Sequence, residues 1–123
     1  MSTAVDYLKA LLELHQQARR LIATWDQIDV LLTPTLTYPA PSLGALGQDV
    51  DTASEEFLDW LSFTHPFNCT GQPAISVPLA SSKDGLPIGI QLVGRPRDEY
   101  SILSLGAQLE ATLEPKMSAV AGA

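Results

Sequence analysis

Few residues of this chain have the types and spacing that chemistry needs. Nucleophilic hydrolysis asks for a hydroxyl or thiol, a base within hydrogen-bond reach, and donors aimed at the developing oxyanion. Ser81, Ser82 and Lys83 supply two hydroxyls and an amine by type. They are adjacent, however, and neighbouring side chains diverge, so three consecutive residues of a polar turn do not converge on one carbonyl. His15 sits on or beside the apolar stripe of a helix and reads as a packing residue. His65 precedes Pro66 in a turn and also reads as structural. Cys69 has no positive neighbour in sequence to activate it, so a buried, inert thiol is expected. One cysteine and two distant histidines do not make a zinc set, and no carboxylate cluster has EF-hand spacing. Gly44 and Gly47 lie in a proline-rich stretch and open no nucleotide-binding loop. The expectation is a chain with no catalytic residue, no metal and no cofactor.

Bulk properties narrow the partners. A chain of 123 residues with 46% hydrophobic and 17% charged residues is one domain at most. Its net charge of -7, with only seven Lys and Arg, leaves no phosphate-binding stripe, so no nucleic acid is expected. No apolar run is long enough to span a bilayer, and the N-terminus is not a basic-then-apolar leader, so neither a membrane partner nor export is expected. A single cysteine forms no internal disulfide, which suits a reducing compartment, the cytoplasm.

Residues 3–25 read as a helix capped by Thr3, with Val5, Leu8, Leu12, Ile22 and Trp25 on one stripe and Leu11, Ala18 and Leu21 beside it. Asp29 to Thr33 reads as a short strand stopped by Pro34. Pro34, Pro39 and Pro41 predict an extended, irregular loop that Gly44 and Gly47 continue. Thr52 to Glu55 fits a capping box opening a second helix, with Phe57, Leu58, Trp60 and Leu61 on its apolar face and Pro66 as its stop. Ala74 to Leu79 and Leu86 to Val93 read as antiparallel strands joined through Asp84-Gly85. Asp98 can cap a last helix with Ile102, Leu105, Leu109 and Leu113 facing in, ended by Pro115. Residues 116–123 read as a disordered tail.

The fold class is therefore α/β: three helices packed on a small sheet that contains an antiparallel pair. Val77, Leu79, Ile88, Ile90 and Leu92 make both later strands apolar enough to be covered on two faces. That pattern belongs inside a larger sheet, so a partner is expected. If none is present, Leu86 to Val93 is the expected site of self-pairing.

Three stretches carry a family resemblance: Asp29-Val30-Leu31-Leu32-Thr33-Pro34-Thr35, the run from Phe63 through Asn68, Gly71-Gln72-Pro73 and Pro78, and Gly85-Leu86-Pro87 through Gly94-Arg95-Pro96. Together they resemble the C-terminal part of the amidase signature hydrolases, over residues 3–113. The resemblance implies a segment, residues 1–115, that supplies core strands and pocket wall to an amide-hydrolysing enzyme. It implies that Thr33, Pro34, Trp60, Leu61, Thr64 and Asn68 line that wall. Family members that act on glutamine place an acidic residue where this chain has Leu61; at a pocket wall, Leu61 and Trp60 would favour an aryl or alkyl amide, and the alternative is that both side chains simply form helix core. The family's glycine-rich nucleophile loop, both its catalytic serines and its lysine have no counterpart in this sequence. The expected partner is the N-terminal catalytic segment of an amidase, or a second copy, with a small-molecule amide as ligand of the complete enzyme. The alternative is a stand-alone, non-catalytic binding or assembly module derived from an amidase.

Overall fold

The computed structural model of the chain describes residues 2–43 and 55–113. The first helix, α1, runs Ala4–Ala23. Thr3 caps it through a reciprocal pair of bonds: its hydroxyl accepts from the Asp6 N–H at 3.2 Å and its own N–H donates to Asp6 Oδ2 at 2.9 Å. The helix stops two residues short of Trp25, which falls in a 3-10 turn, Thr24–Asp26. The strand β1 follows (Leu31–Pro34), then α2 (Glu55–Trp60), α3 (His65–Thr70), β2 (Ala74–Ser81), β3 (Pro87–Val93) and α4 (Glu99–Leu113).

The three strands form an antiparallel sheet in the order β1-β3-β2. The expected hairpin is present. Ser82 N–H donates to Leu86 O at 2.7 Å, Ser82 Oγ accepts from Leu86 N–H at 3.1 Å, and Gly85 takes a φ of 80° that favours glycine. Ser82 thus closes the turn, which is the role its neighbours in sequence left for it. The register sets Ile75 against Leu92, Val77 against Ile90, Thr33 against Gln91 and Leu31 against Val93.

Alternation then sorts the two faces. Ile75, Val77, Ile90 and Leu92 share one, covered by α4: a methyl added at Gly106 would meet Ile75 Cδ1 at 3.4 Å and Val77 Cγ2 at 3.5 Å. Asp98 caps α4 as expected, its Oδ1 accepting from Ser101 N–H and Oγ. Ile102 is buried beside Gly94, and Leu105 and Leu109 are half-buried. On the opposite face, Trp25, Phe67 and Val93 form a second cluster with Leu21, Ile28 and Leu31. Trp25 and Phe67 meet edge to face, and the Trp25 indole N–H donates to Val93 O at 3.4 Å.

Four expectations are corrected. The second helix is two helices, and Pro66 does not stop one but starts α3, where its missing N–H costs nothing because the first turn has no acceptor for it. The strand around Leu86 to Val93 is not an edge open to self-pairing: β3 is the central strand, paired on both sides, and the free edges belong to β1 and β2. Cys69 is exposed, not buried. Pro34 ends β1 from within it, on an edge where a missing N–H is tolerated. The capping box at Thr52, the loop glycines Gly44 and Gly47, the side chain of Leu113, Pro115 and the tail 116–123 lie outside the described residues. Among the described residues, no helix is long and apolar enough to cross a membrane, and no cluster of His, Cys, Asp and Glu could hold a metal ion.

Candidate functional site

The polar side chains that the strands carry gather on one face of the sheet. In β3, Gly89, Gln91 and Val93 alternate onto the face that bears the Trp25 cluster, and the register brings Thr33, Thr35 and Ser76 beside them. Val93 belongs to the apolar cluster at one end. Toward the other end the face becomes polar. Thr35 Oγ1 and Ser76 Oγ meet at 2.6 Å across Gly89. The approach is possible because Gly89 has no side chain: a Cβ there would stand 2.7 Å from Ser76 Oγ and 2.8 Å from Thr35 Oγ1.

Gln91 is buried, with 5% of its surface exposed, and its Nε2 donates to Phe63 O at 2.9 Å and to Thr33 Oγ1 at 3.1 Å. One side-chain amide therefore ties β1 to the turn between α2 and α3. A second tie lies further along. The Thr37 N–H and hydroxyl donate to Trp60 O at 3.4 and 3.3 Å, and the hydroxyl also reaches Asp59 O at 3.1 Å. The Trp60 ring stacks on Tyr38, with centroids 6.4 Å apart, and meets Phe57 edge on. Its indole Nε1 is buried without a hydrogen-bond partner.

Between the loop that follows β1 and the start of β3 runs a groove of about 320 Å³, lined by Pro34, Thr35, Thr37, Tyr38, Ile88 and Gly89 among others. All of its described lining side chains are uncharged. Such a groove can take an uncharged, mainly apolar group and offers hydroxyls to orient it.

The residues expected at a pocket wall fall as follows. Thr33 and Pro34 occupy β1, with Pro34 in the groove and the Thr33 hydroxyl accepting from Gln91. Trp60 ends α2 and is joined to the same loop through Thr37 and Tyr38. Leu61 and Thr64 are half-buried in the following turn, where Leu61 O accepts from Thr64 N–H and Oγ1 and from His65 N–H. Thr33, Pro34 and Trp60 are thus brought to one region, with Leu61 and Thr64 adjoining through the Phe63 carbonyl. Asn68 is exposed on α3, one turn beyond Thr64, and no hydrogen bond ties its side chain to that group among the described residues. Thr35 belongs to the Thr33-Pro34-Thr35 loop that the resemblance places at the cleft, whereas Gln91 and Ser76, both within the strands, are not assigned to it. Their signal was present as polar letters in otherwise apolar strands, but only the register makes them neighbours. His15 is exposed on α1, and Lys83 is exposed in the hairpin turn. Neither is joined to the groove.

Comparison with known proteins gives a consistent result. The Amidase family model matches residues 1–103. The 6-aminohexanoate-cyclic-dimer hydrolase of Paenarthrobacter ureafaciens is 40% identical over 110 residues, covering 82% of this chain and 22% of that protein. The putative amidase AmiC of Mycobacterium leprae is 38% identical over 103 residues, covering 83% of this chain and 22% of the relative. A solved structure of 6-aminohexanoate cyclic dimer hydrolase superposes with a TM-score of 0.82 at 35% identity, over 94% of this chain and 27% of that one. The chain spans about 22% of the length of the curated relatives it matches.

Proposed function

The chain belongs to the amidase family, and from that premise we propose that it works as the C-terminal portion of an amide-hydrolysing enzyme. It contributes core strands and one wall of the substrate pocket, while the nucleophile and its base come from an N-terminal catalytic segment. The observation that carries this reading is conformational. A stretch covering 94% of the chain takes nearly the same course inside a hydrolase of which it makes up 27%. The chain is folded as though the rest of an amidase stood beside it.

Its own inventory supports the division of labour. Ser81, Ser82 and Lys83 are spent on a hairpin turn or exposed within it. The pocket wall is formed by Thr33, Pro34, Trp60, Leu61 and Thr64, with Asn68 further along α3. With Leu61 and Trp60 at the wall and an uncharged groove beside them, the substrate is an aryl or alkyl amide and not glutamine. A charged ammonium would lose its water there and gain no counter-charge. An exposed, unpaired Cys69 fits the cytoplasm.

A chimaera tests the proposal. In the P. ureafaciens hydrolase, the matching segment is replaced by residues 3–113 of this chain, and release of nitroaniline from a neutral nitroanilide is followed. The chimaera is expected to hydrolyse the anilide, while the same enzyme lacking the segment and the isolated chain do not. A folded chimaera no more active than the deletion, or hydrolysis by the isolated chain, would overturn it.

A further inference from the structure

Three threonine hydroxyls lie on or beside the groove, and their hydrogen bonds decide which is free to act. Thr37 spends its proton on the backbone at the end of α2, donating to Asp59 O at 3.1 Å. Thr33, on the same face of the sheet, donates to Pro34 O at 2.9 Å. Thr35 differs. Its Oγ1 meets Ser76 Oγ at 2.6 Å, and neither oxygen has another hydrogen-bond partner among the described residues. Each hydroxyl carries one proton. Two hydroxyls that share one bond use one proton and leave one over, whichever of them donates. The pair is also accessible, because Thr35 lines the groove and Ser76 is exposed. Position 89 keeps it so. A Cβ there would stand 2.7 Å from Ser76 Oγ and 2.8 Å from Thr35 Oγ1 and would cap both, and Gly89 has none.

We infer that the Thr35–Ser76 pair is a hydrogen-bond donor site, which receives the carbonyl oxygen of a neutral ligand whose apolar group lies in the groove. Such a role rests on the amide-pocket reading above and adds to it: this wall selects for an acceptor on the ligand and not only against charge. The bond within the pair favours donation, since a hydroxyl that accepts one hydrogen bond is polarised to give another. The surroundings fix the ligand's charge. All described lining side chains are uncharged, and the chain carries a net charge of -7. A carboxylate would therefore lose water there without meeting a cation, and an ammonium has no acceptor to offer. A carbonyl meets both conditions. Its apolar substituent then occupies the groove of about 320 Å³ beside Pro34, Tyr38 and Ile88.

Heteronuclear NMR titration of the full 123-residue chain with N,N-dimethylbenzamide and N,N-dimethylthiobenzamide decides the matter. The two ligands have nearly the same shape and no N–H, but sulfur is the weaker acceptor. The amide is expected to shift the backbone N–H signals of Thr35 and Gly89 saturably. The thioamide should bind about tenfold more weakly, the effect of losing one hydrogen bond. In Thr35→Val, which keeps the size and removes the hydroxyl, both should bind alike, at the level of the thioamide. Should that variant lose its fold, the comparison of the two ligands on the unaltered chain still stands. Equal or tighter binding of the thioamide to the unaltered chain would overturn the donor role. So would absence of amide binding, even if the chimaera hydrolyses its anilide. An inactive chimaera together with a tenfold preference for the amide would overturn the amidase reading and support the donor pair.

Discussion

The hydroxyl pair across Gly89 shows how much one missing side chain can decide. Thr35 follows the end of β1 and Ser76 lies in β2, 41 positions apart, and they meet at 2.6 Å only because nothing stands between them. Gly89→Ala would place a Cβ inside the contact radius of both hydroxyls. It is expected to lower stability in urea unfolding by roughly 1–3 kcal/mol, the usual cost of overpacking, and to displace the loop that carries Tyr38. An unchanged midpoint would show that the pair moves apart freely. Legibility at this scale was uneven. Thr33 and Pro34 were accessible to sequence reasoning because the Asp29–Thr35 motif surrounds them, and Trp60 because the resemblance extends to it. Gln91 lies inside the Gly85–Pro96 motif, but a glutamine in an apolar strand declares nothing about its partners until β1 is laid against β3.

Secondary-structure elements were read most reliably where a local rule governs them. Thr3 begins α1, Asp98 begins α4, and Asp84-Gly85 turns the hairpin, each through contacts within a few residues. The capping of α1 also carries a pH dependence. The Thr3 hydroxyl, and then its backbone N–H, hold the Asp6 carboxyl below its ordinary value of 3.8. A carboxyl depressed in the folded state favours folding above the unfolded pKa, and the benefit fades as pH falls through the folded value. The first turn of α1 is therefore expected to fray in acid, below about pH 4. Amide exchange and Cα shifts of residues 4–8 report it, and Thr3→Ala should return the Asp6 titration toward 3.8. An Asp6 midpoint that Thr3→Ala leaves in place would count against the box. Elements were misread where the same letter serves two rules. Proline ends a helix from inside and opens one at the first turn, and Pro66 does the second.

At the scale of the molecule the apolar surface is unevenly used. Val5, Leu8 and Leu12 are 59%, 56% and 62% exposed on one stripe of α1, and no residue of that helix is fully buried. Leu32 on edge strand β1 is 56% exposed as well. An acidic chain with this surface is expected to self-associate when isolated, through α1 and not through β3, whose edges are both taken. Leu8→Glu combined with Leu12→Glu should shift sedimentation equilibrium toward the monomer and leave the near-ultraviolet signal of Trp25 intact. Association that persists in the double variant would move the contact to the sheet edges.

What this sequence determined by itself is what short-range physics controls: the helix starts, the hairpin, the α/β class, the apolar strands that ask for cover on two faces, and a family likeness spread over three motifs. Tertiary structure alone decided that β3 lies between β1 and β2, that Val5, Leu8 and Leu12 remain uncovered, and that Thr33, Phe63 and Gln91 converge. The reason is distance along the chain. Thr33 and Gln91 are 58 positions apart, and Phe63 and Gln91 28. Contacts of that kind depend on strand order and register, which residue periodicity does not encode.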